Sequence, residues 1–192
     1  MRAVDIELRH VSKAFEGKQV LHDVSAVFPE GEITGIMAPS GYGKTTLLRL
    51  LMGLISPDAG RILGIEGKKK SAVFQEDRLC ENLSASANIR LTNPKLSQTE
   101  TEKAMRAVGL GDCIHQPVRE LSGGMRRRVA ILRALLCEYD ILYLDEPFKG
   151  LDQETKELIM EDTKRRCQGK TVLLVTHDLA EIDAMGAKLY QK

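Results

Sequence analysis

The sequence has no closely spaced cysteine pair. Cys80, Cys113, Cys137 and Cys167 lie far apart, with no C-x-x-C and no histidine cluster. That pattern argues against a zinc site and against the disulfide framework of a secreted domain, and a reducing compartment is expected. An excess of one charge is also missing: 28 Lys and Arg against 27 Asp and Glu leave a formal net charge of +1, which gives no global electrostatic case for a nucleic-acid partner. No apolar run approaches the roughly 20 residues of a membrane-spanning helix, and the start, Met1-Arg2-Ala3-Val4-Asp5, meets charge at once. A soluble chain is expected, with any membrane role exercised through a partner. Internal repeats, low-complexity segments and an obvious linker are absent as well. What remains is 192 residues with 43% hydrophobic content, enough to bury the core of one domain, or of a core with a subdomain.

Residues 3–11 and 20–28 alternate apolar and polar side chains around Glu16-Gly17-Lys18, the pattern of an antiparallel strand pair. Residues 32–37 read as a buried strand, followed by a glycine-containing loop and a strongly apolar helix over 44–54 that stops near Ser56-Pro57-Asp58. Short strands are expected at 61–65 and 71–74. Residues 84–137 hold no convincing strand but several helical stretches, notably 98–108 and 124–136. Residues 141–144 and 171–175 are apolar without alternation, as parallel strands covered on both faces should be, with a helix over 152–167 between them.

Three segments carry chemistry. The first, Ala38-Pro39-Ser40-Gly41-Tyr42-Gly43-Lys44-Thr45-Thr46, follows G-x-x-x-x-G-K-[ST] except that Ala38 replaces the first glycine. Gly41 and Gly43 let backbone N–H groups turn inward on phosphates, and the following helix adds its positive end. Lys44 would reach the β- and γ-phosphates and the Thr45 hydroxyl would ligate Mg²⁺. The second, Leu121-Ser122-Gly123-Gly124-Met125, opens a helix with a capping residue and backbone donors open to an anion; alone it reads more readily as an ordinary capped helix. The Arg126-Arg127-Arg128 run after it fans around the helix axis, so a solvated or partly interfacial face is expected rather than a basic stripe. The third, Asp145-Glu146, ends an apolar strand at its carboxyl end, where open α/β sheets place ligands. There Asp145 would hold Mg²⁺ and Glu146 would polarise an attacking water.

Taken in order, these motifs resemble the ATP-binding cassette (ABC) ATPases over nearly the whole chain. The resemblance implies an α/β fold: a P-loop NTPase core with a mostly parallel sheet and an N-terminal antiparallel β part, over about 1–80 and 138–192, and an inserted helical subdomain over about 81–137. It implies that Phe15 stacks on adenine, that Ala38 to Thr46 form the Walker A loop and that Gln75 senses Mg²⁺ and water from the Q-loop. Leu121 to Met125 match the signature motif, with Met125 where glutamine is usual; Asp145 and Glu146 end Walker B, Asp152 belongs to the D-loop, and His177 is the switch histidine that contacts the γ-phosphate. Read without the family, Phe15 fits a core aromatic, Gln75 a surface polar residue and His177 a helix-capping or structural histidine.

The resemblance further implies ATP and Mg²⁺ as cofactors. It implies two cassettes, expected as two copies, that bind ATP head to tail, each γ-phosphate meeting Ser122, Gly123 and Gly124 of the other subunit. The implied partners are a transmembrane permease and a separate substrate-binding protein, with the cassette cytoplasmic and peripheral on the inner face of the cell membrane, and no nucleic acid. Residues 76–90 look like the groove that receives a permease coupling helix. Asp145-Glu146-Pro147-Phe148-Lys149-Gly150-Leu151-Asp152 is similar to the importer branch for nitrate, sulfonates and taurine. Thirty-one positions from Lys44 to Gln75 and fifteen residues after His177 are short for that branch, so its regulatory C-terminal extension is expected to be missing. Competing readings are an exporter cassette, a soluble cassette acting on nucleic acid or ribosomes, and a cassette that senses ATP without turnover.

Overall fold

The computed structural model describes residues 5–37 and 43–191. Ala38, Pro39, Ser40, Gly41 and Tyr42 of the first loop lie outside the described residues. Two sheets organise the rest. Strands β1 (Ile6–Phe15) and β2 (Lys18–Phe28) pair antiparallel, and β4 (Ala59–Leu63) pairs antiparallel on the other side of β1. The second sheet has the order β5 (Lys70–Val73), β6 (Ile141–Asp145), β7 (Thr171–Val175), β3 (Ile33–Met37), β8 (Lys188–Gln191), and every neighbouring pair in it is parallel. The fold is therefore the mixed α/β arrangement expected, with β4 assigned to the antiparallel sheet.

The parallel sheet shows why its strands are apolar throughout. Successive strand residues face opposite sides, and here both sides are cores. Leu142, Leu144, Val172 and Leu174 face one core together with Ile131, Met105 and Phe148. Ile141, Tyr143, Leu173 and Val175 face another, formed with Leu48, Leu51 and Phe28. The one polar atom this places deep in the second core, the Tyr143 hydroxyl, donates to the Leu51 carbonyl at 2.9 Å, as a buried hydroxyl must.

Helix α1 (Lys44–Met52) follows β3 in the chain. It ends earlier than its apolar run, because Gly53 adopts φ 75° and its N–H bonds back to the Arg49 and Leu50 carbonyls. Between β5 and β6 lie α2 (Ala85–Arg90), α3 (Gln98–Ala107) and α4 (Gly123–Leu135), capped by Ser84, Ser97 and Ser122. Each such cap is worth about 1 kcal/mol. Helix α5 (Gln153–Arg166), capped by Asp152, joins β6 to β7. Two elements fall outside the sequence expectations: α6 (Leu179–Met185) and the edge strand β8. No helix among the described residues is long and apolar enough to cross a membrane.

Candidate functional site

The strand order brings distant motifs to one edge. At the carboxyl ends of the parallel strands, Gln75 follows β5, Asp145 and Glu146 finish β6, and Thr176 and His177 follow β7. Beside β7 stands β3, the strand that precedes α1 in the chain. This is the edge at which an open α/β sheet binds ligands. Gln75 and Glu146 line one cleft with Gly43, Lys44, Thr45 and Thr46. Gln75, Thr45 and Asp145 line a second, and Gln75, Glu146, Gly123 and Gly124 a third. Gln75 is common to all three.

Gly43 caps α1 with φ 77° and no side-chain hydrogen bond. A Cβ built there would come within 2.9 Å of both Leu21 Cδ2 and Val20 Cγ1, so glycine is required on conformation and on space alike. No side chain caps the helix, whose N-terminus carries the positive end of the helix dipole toward an anion. No acidic residue occupies the first turn of α1 or of α4, whereas α3, α5 and α6 carry Glu100, Glu154 and Glu181 there. The Ser122-Gly123 turn is exposed, and the Ser122 hydroxyl accepts from the Met125 N–H at 3.3 Å.

Asp145 and Glu146 form a buried acidic pair, 5% and 9% exposed. Burial, and Glu146 beside it, hold the Asp145 carboxyl above its ordinary value, against the pull of Arg127, the Thr45 hydroxyl and Lys44. The Glu146 backbone sits at φ 47°, a conformation that costs a non-glycine residue about 1–3 kcal/mol. It is held there from both sides: its N–H donates to the Val175 carbonyl at 2.8 Å and its carbonyl accepts from Arg127 at 2.6 Å. Glu146 Oε1 lies 3.3 Å from His177 Nδ1 and Oε2 lies 3.6 Å from Lys149 Nζ. That Oε2 atom is buried without a hydrogen-bond partner.

The exposed His177 ring is carried by a firmly fixed loop. Thr176 donates to Glu181 at 2.5 Å, and Lys156 from α5 bonds both Glu181 and Asp178 at 2.7 Å. Burial alone would lower the Lys156 ammonium, but the hydrogen bonds to Asp178 and Glu181 outweigh it and raise it. The Lys156 hydrogen bond in turn holds Asp178 below its ordinary value. Asp178, not His177, caps α6, which removes the helix-capping reading of the histidine.

Besides Ser122 and His177, two expected site residues do not line these clefts. Phe15 ends β1 exposed, with the Lys13 ammonium 5.5 Å from its ring centroid, so it is not a core aromatic. Asp152 accepts the Thr155 N–H at 3.0 Å as the cap of α5.

The arginine run corrects the expectation of a solvated face. Arg126 pairs with Glu81 and Arg128 donates to the Val108 carbonyl at 2.8 Å, but Arg127 is 5% exposed and wholly internal. Its guanidinium donates to the carbonyls of Phe74, Gln75, Asp145, Glu146 and Pro147 and to the Asp77 carboxylate. A buried guanidinium is tolerable only when its donors are satisfied in this way. The signal for it was the helix period: Arg127, Ala130, Ile131, Ala134 and Leu135 share the buried stripe of α4.

Among the described residues no group of three or more His, Cys, Asp or Glu could hold a metal ion. A cation here would complete its coordination with hydroxyl, amide or ligand oxygens. The buried Asp145 and Glu146, with Thr45 bonded to Asp145, suit that role as adjacent carboxylates at the end of the strand.

Comparison with known proteins agrees with this geometry. The ABC transporter family model matches residues 21–149. The spermidine/putrescine import ATP-binding protein PotA of Fusobacterium nucleatum is 35% identical over 94% of this chain and 53% of its own length. The aliphatic sulfonates import ATP-binding protein SsuB 2 of Pseudomonas fluorescens is 35% identical over 98% of this chain and 74% of its own. The chain thus spans about half the length of its PotA relatives. The structure of a bacterial Atm1-family ABC exporter with ATP bound superposes with a TM-score of 0.83 at 25% identity, over 95% of this chain and 36% of the exporter chain. By family model, relatives and fold, the chain belongs to the ABC transporter family.

Proposed function

We propose that this chain is the ATP-hydrolysing subunit of an ABC importer, working with a second cassette and a membrane permease on the cytoplasmic face. The observation that carries the reading is the cleft that brings Glu146, beside Asp145 at the end of β6, together with Gly43, Lys44, Thr45, Thr46 and Gln75. In this reading Lys44 and the α1 N-terminus bind the triphosphate, Ala38 to Tyr42 complete its loop, and Phe15 stacks on adenine. Thr45 and Asp145 would hold Mg²⁺, with Gln75 at its edge; the ion supplies neutralisation of phosphate charge. Glu146 takes the proton of the attacking water, and His177, 3.3 Å from Oε1, orients its carboxylate. Asp152, the exposed Ser122 and Gly123, and the half-buried Gly124 serve the nucleotide of the partner cassette. Residues 81–137 form a helical subdomain that carries this turn, and 76–90 meet the permease.

Import is supported by the relatives, which are named for import. Those names cover polyamines, which are cations, and sulfonates, which are anions, at the same 35% identity. Solute chemistry is therefore read by other chains, a permease and a separate binding protein. The purified chain should hydrolyse ATP with Mg²⁺, and chelation should cut turnover by at least about 10²-fold, reversibly. Equal turnover with and without chelator would reject the reading.

A further inference from the structure

We propose that Arg127 is a positioning residue that locks the segment after β5 to the segment after β6, so that Gln75 and Glu146 keep a fixed relation to each other and to α4. The inference rests on the ATPase reading for its kinetic consequence, though not for the lock itself. One guanidinium supplies donors to both segments. On the β5 side it bonds the Phe74 carbonyl at 2.5 Å and Asp77 Oδ1 at 3.1 Å. On the β6 side it bonds the Glu146 carbonyl at 2.6 Å and the Pro147 carbonyl at 2.7 Å.

Three features make this a positioning device rather than general packing. The side chain is 5% exposed, so water cannot replace the hydrogen bonds it makes. Glu146 holds a left-handed φ of 47°, and the Arg127 bond fixes its carbonyl in the direction this conformation requires. Arg133, two turns along the same helix, donates to the Asp77 and Arg78 carbonyls at 3.0 and 2.9 Å, so α4 grips the Gln75 segment at a second point. Only Arg127 also reaches the Glu146 segment. The planar fork matters, since a lysine keeps the charge but offers a single nitrogen to acceptors on two segments.

The test is hydrogen–deuterium exchange on the nucleotide-free full chain, with steady-state ATPase kinetics beside it. In Arg127→Met, amides in 74–78 and 145–150 should exchange about tenfold faster or more, while those of α1 and β7 keep the parent rate. The kcat should fall about tenfold or more with the KM for ATP within about twofold, and Arg127→Lys should recover part of both losses. Unchanged exchange in either segment, a kcat within twofold of the parent, or equal acceleration across α1 and β7 would overturn the proposal. Should Arg127→Met fail to fold, Arg127→Lys decides alone: exchange in both segments between parent and uniform opening supports the lock, and parent-like exchange rejects it. Absence of ATPase activity in the parent would remove the functional reading, and the exchange data would still judge the lock.

Discussion

Glu146→Gln is expected to lower ATP turnover by about 10²–10⁴-fold while ATP affinity stays within a few-fold. The amide keeps the size of the side chain and its place at the end of β6, so the φ of 47° and the bonds to Val175 and Arg127 survive. What is lost is the basic oxygen. In the parent Oε1 stands 3.3 Å from His177 Nδ1 and Oε2 3.6 Å from Lys149 Nζ, and the amide that replaces this carboxylate cannot accept the proton of water. Asp145 does not substitute, because it is engaged with Thr45 and buried. Single-turnover hydrolysis with parallel equilibrium binding separates the two quantities. Near-parental turnover in the variant would take the base role away from Glu146.

Asp145→Asn is expected to act in opposite directions on catalysis and on stability. Losing the carboxylate that would hold the metal should cost several kcal/mol of transition-state stabilisation, at least about 10²-fold in turnover. Yet the nucleotide-free variant should be the more stable protein. Burial and the neighbouring Glu146 raise the folded-state pKa of Asp145. A raised carboxyl contributes stability only while protonated, below the unfolded-state value, and that contribution is lost as pH rises through the folded value. Above that value the parent therefore carries the cost of an ionised, crowded acid, which asparagine does not, and Asn Oδ1 still accepts from Thr45. A rise in thermal midpoint of roughly 2–4 °C is expected, what about 1 kcal/mol gives in a domain of this size. The difference should shrink as pH falls through the raised folded-state value of Asp145. A variant less stable than the parent at neutral pH would show that Asp145 is a structural anchor instead of a waiting metal ligand.

The parts legible in the sequence were those fixed by local chemistry. Apolar β6 and β7 announced a sheet covered on both faces, and the two cores that divide their alternate residues are the reason. Asp145-Glu146 could be placed at a strand end because a continuous apolar run precedes them. The misses have different causes. The α1 boundary overran because the apolar pattern continues to Leu54, while the chain turns at a left-handed Gly53. Strand β8 gave little signal because it is a short edge strand just after the Gly186 cap of α6. Arg127 was hidden by its neighbours: three consecutive arginines read as a surface. The acceptors that bury the middle one lie 18 to 53 positions away, where only the fold brings them together. A strict reading of the helix period, which puts Arg127 on one stripe with Ile131 and Ala134, would have found it.

The central claim is that one chain supplies only half of the enclosure for each nucleotide. Its most direct test is the mass of Glu146→Gln by light scattering, with saturating Mg-ATP and without it, beside the same variant carrying Ser122→Arg. The account predicts twice the chain mass of 21.3 kDa with ATP and the single mass without it, and a Ser122→Arg form that binds ATP but stays single. A single mass with ATP fully bound, or doubling that is indifferent to Ser122→Arg, would contradict it.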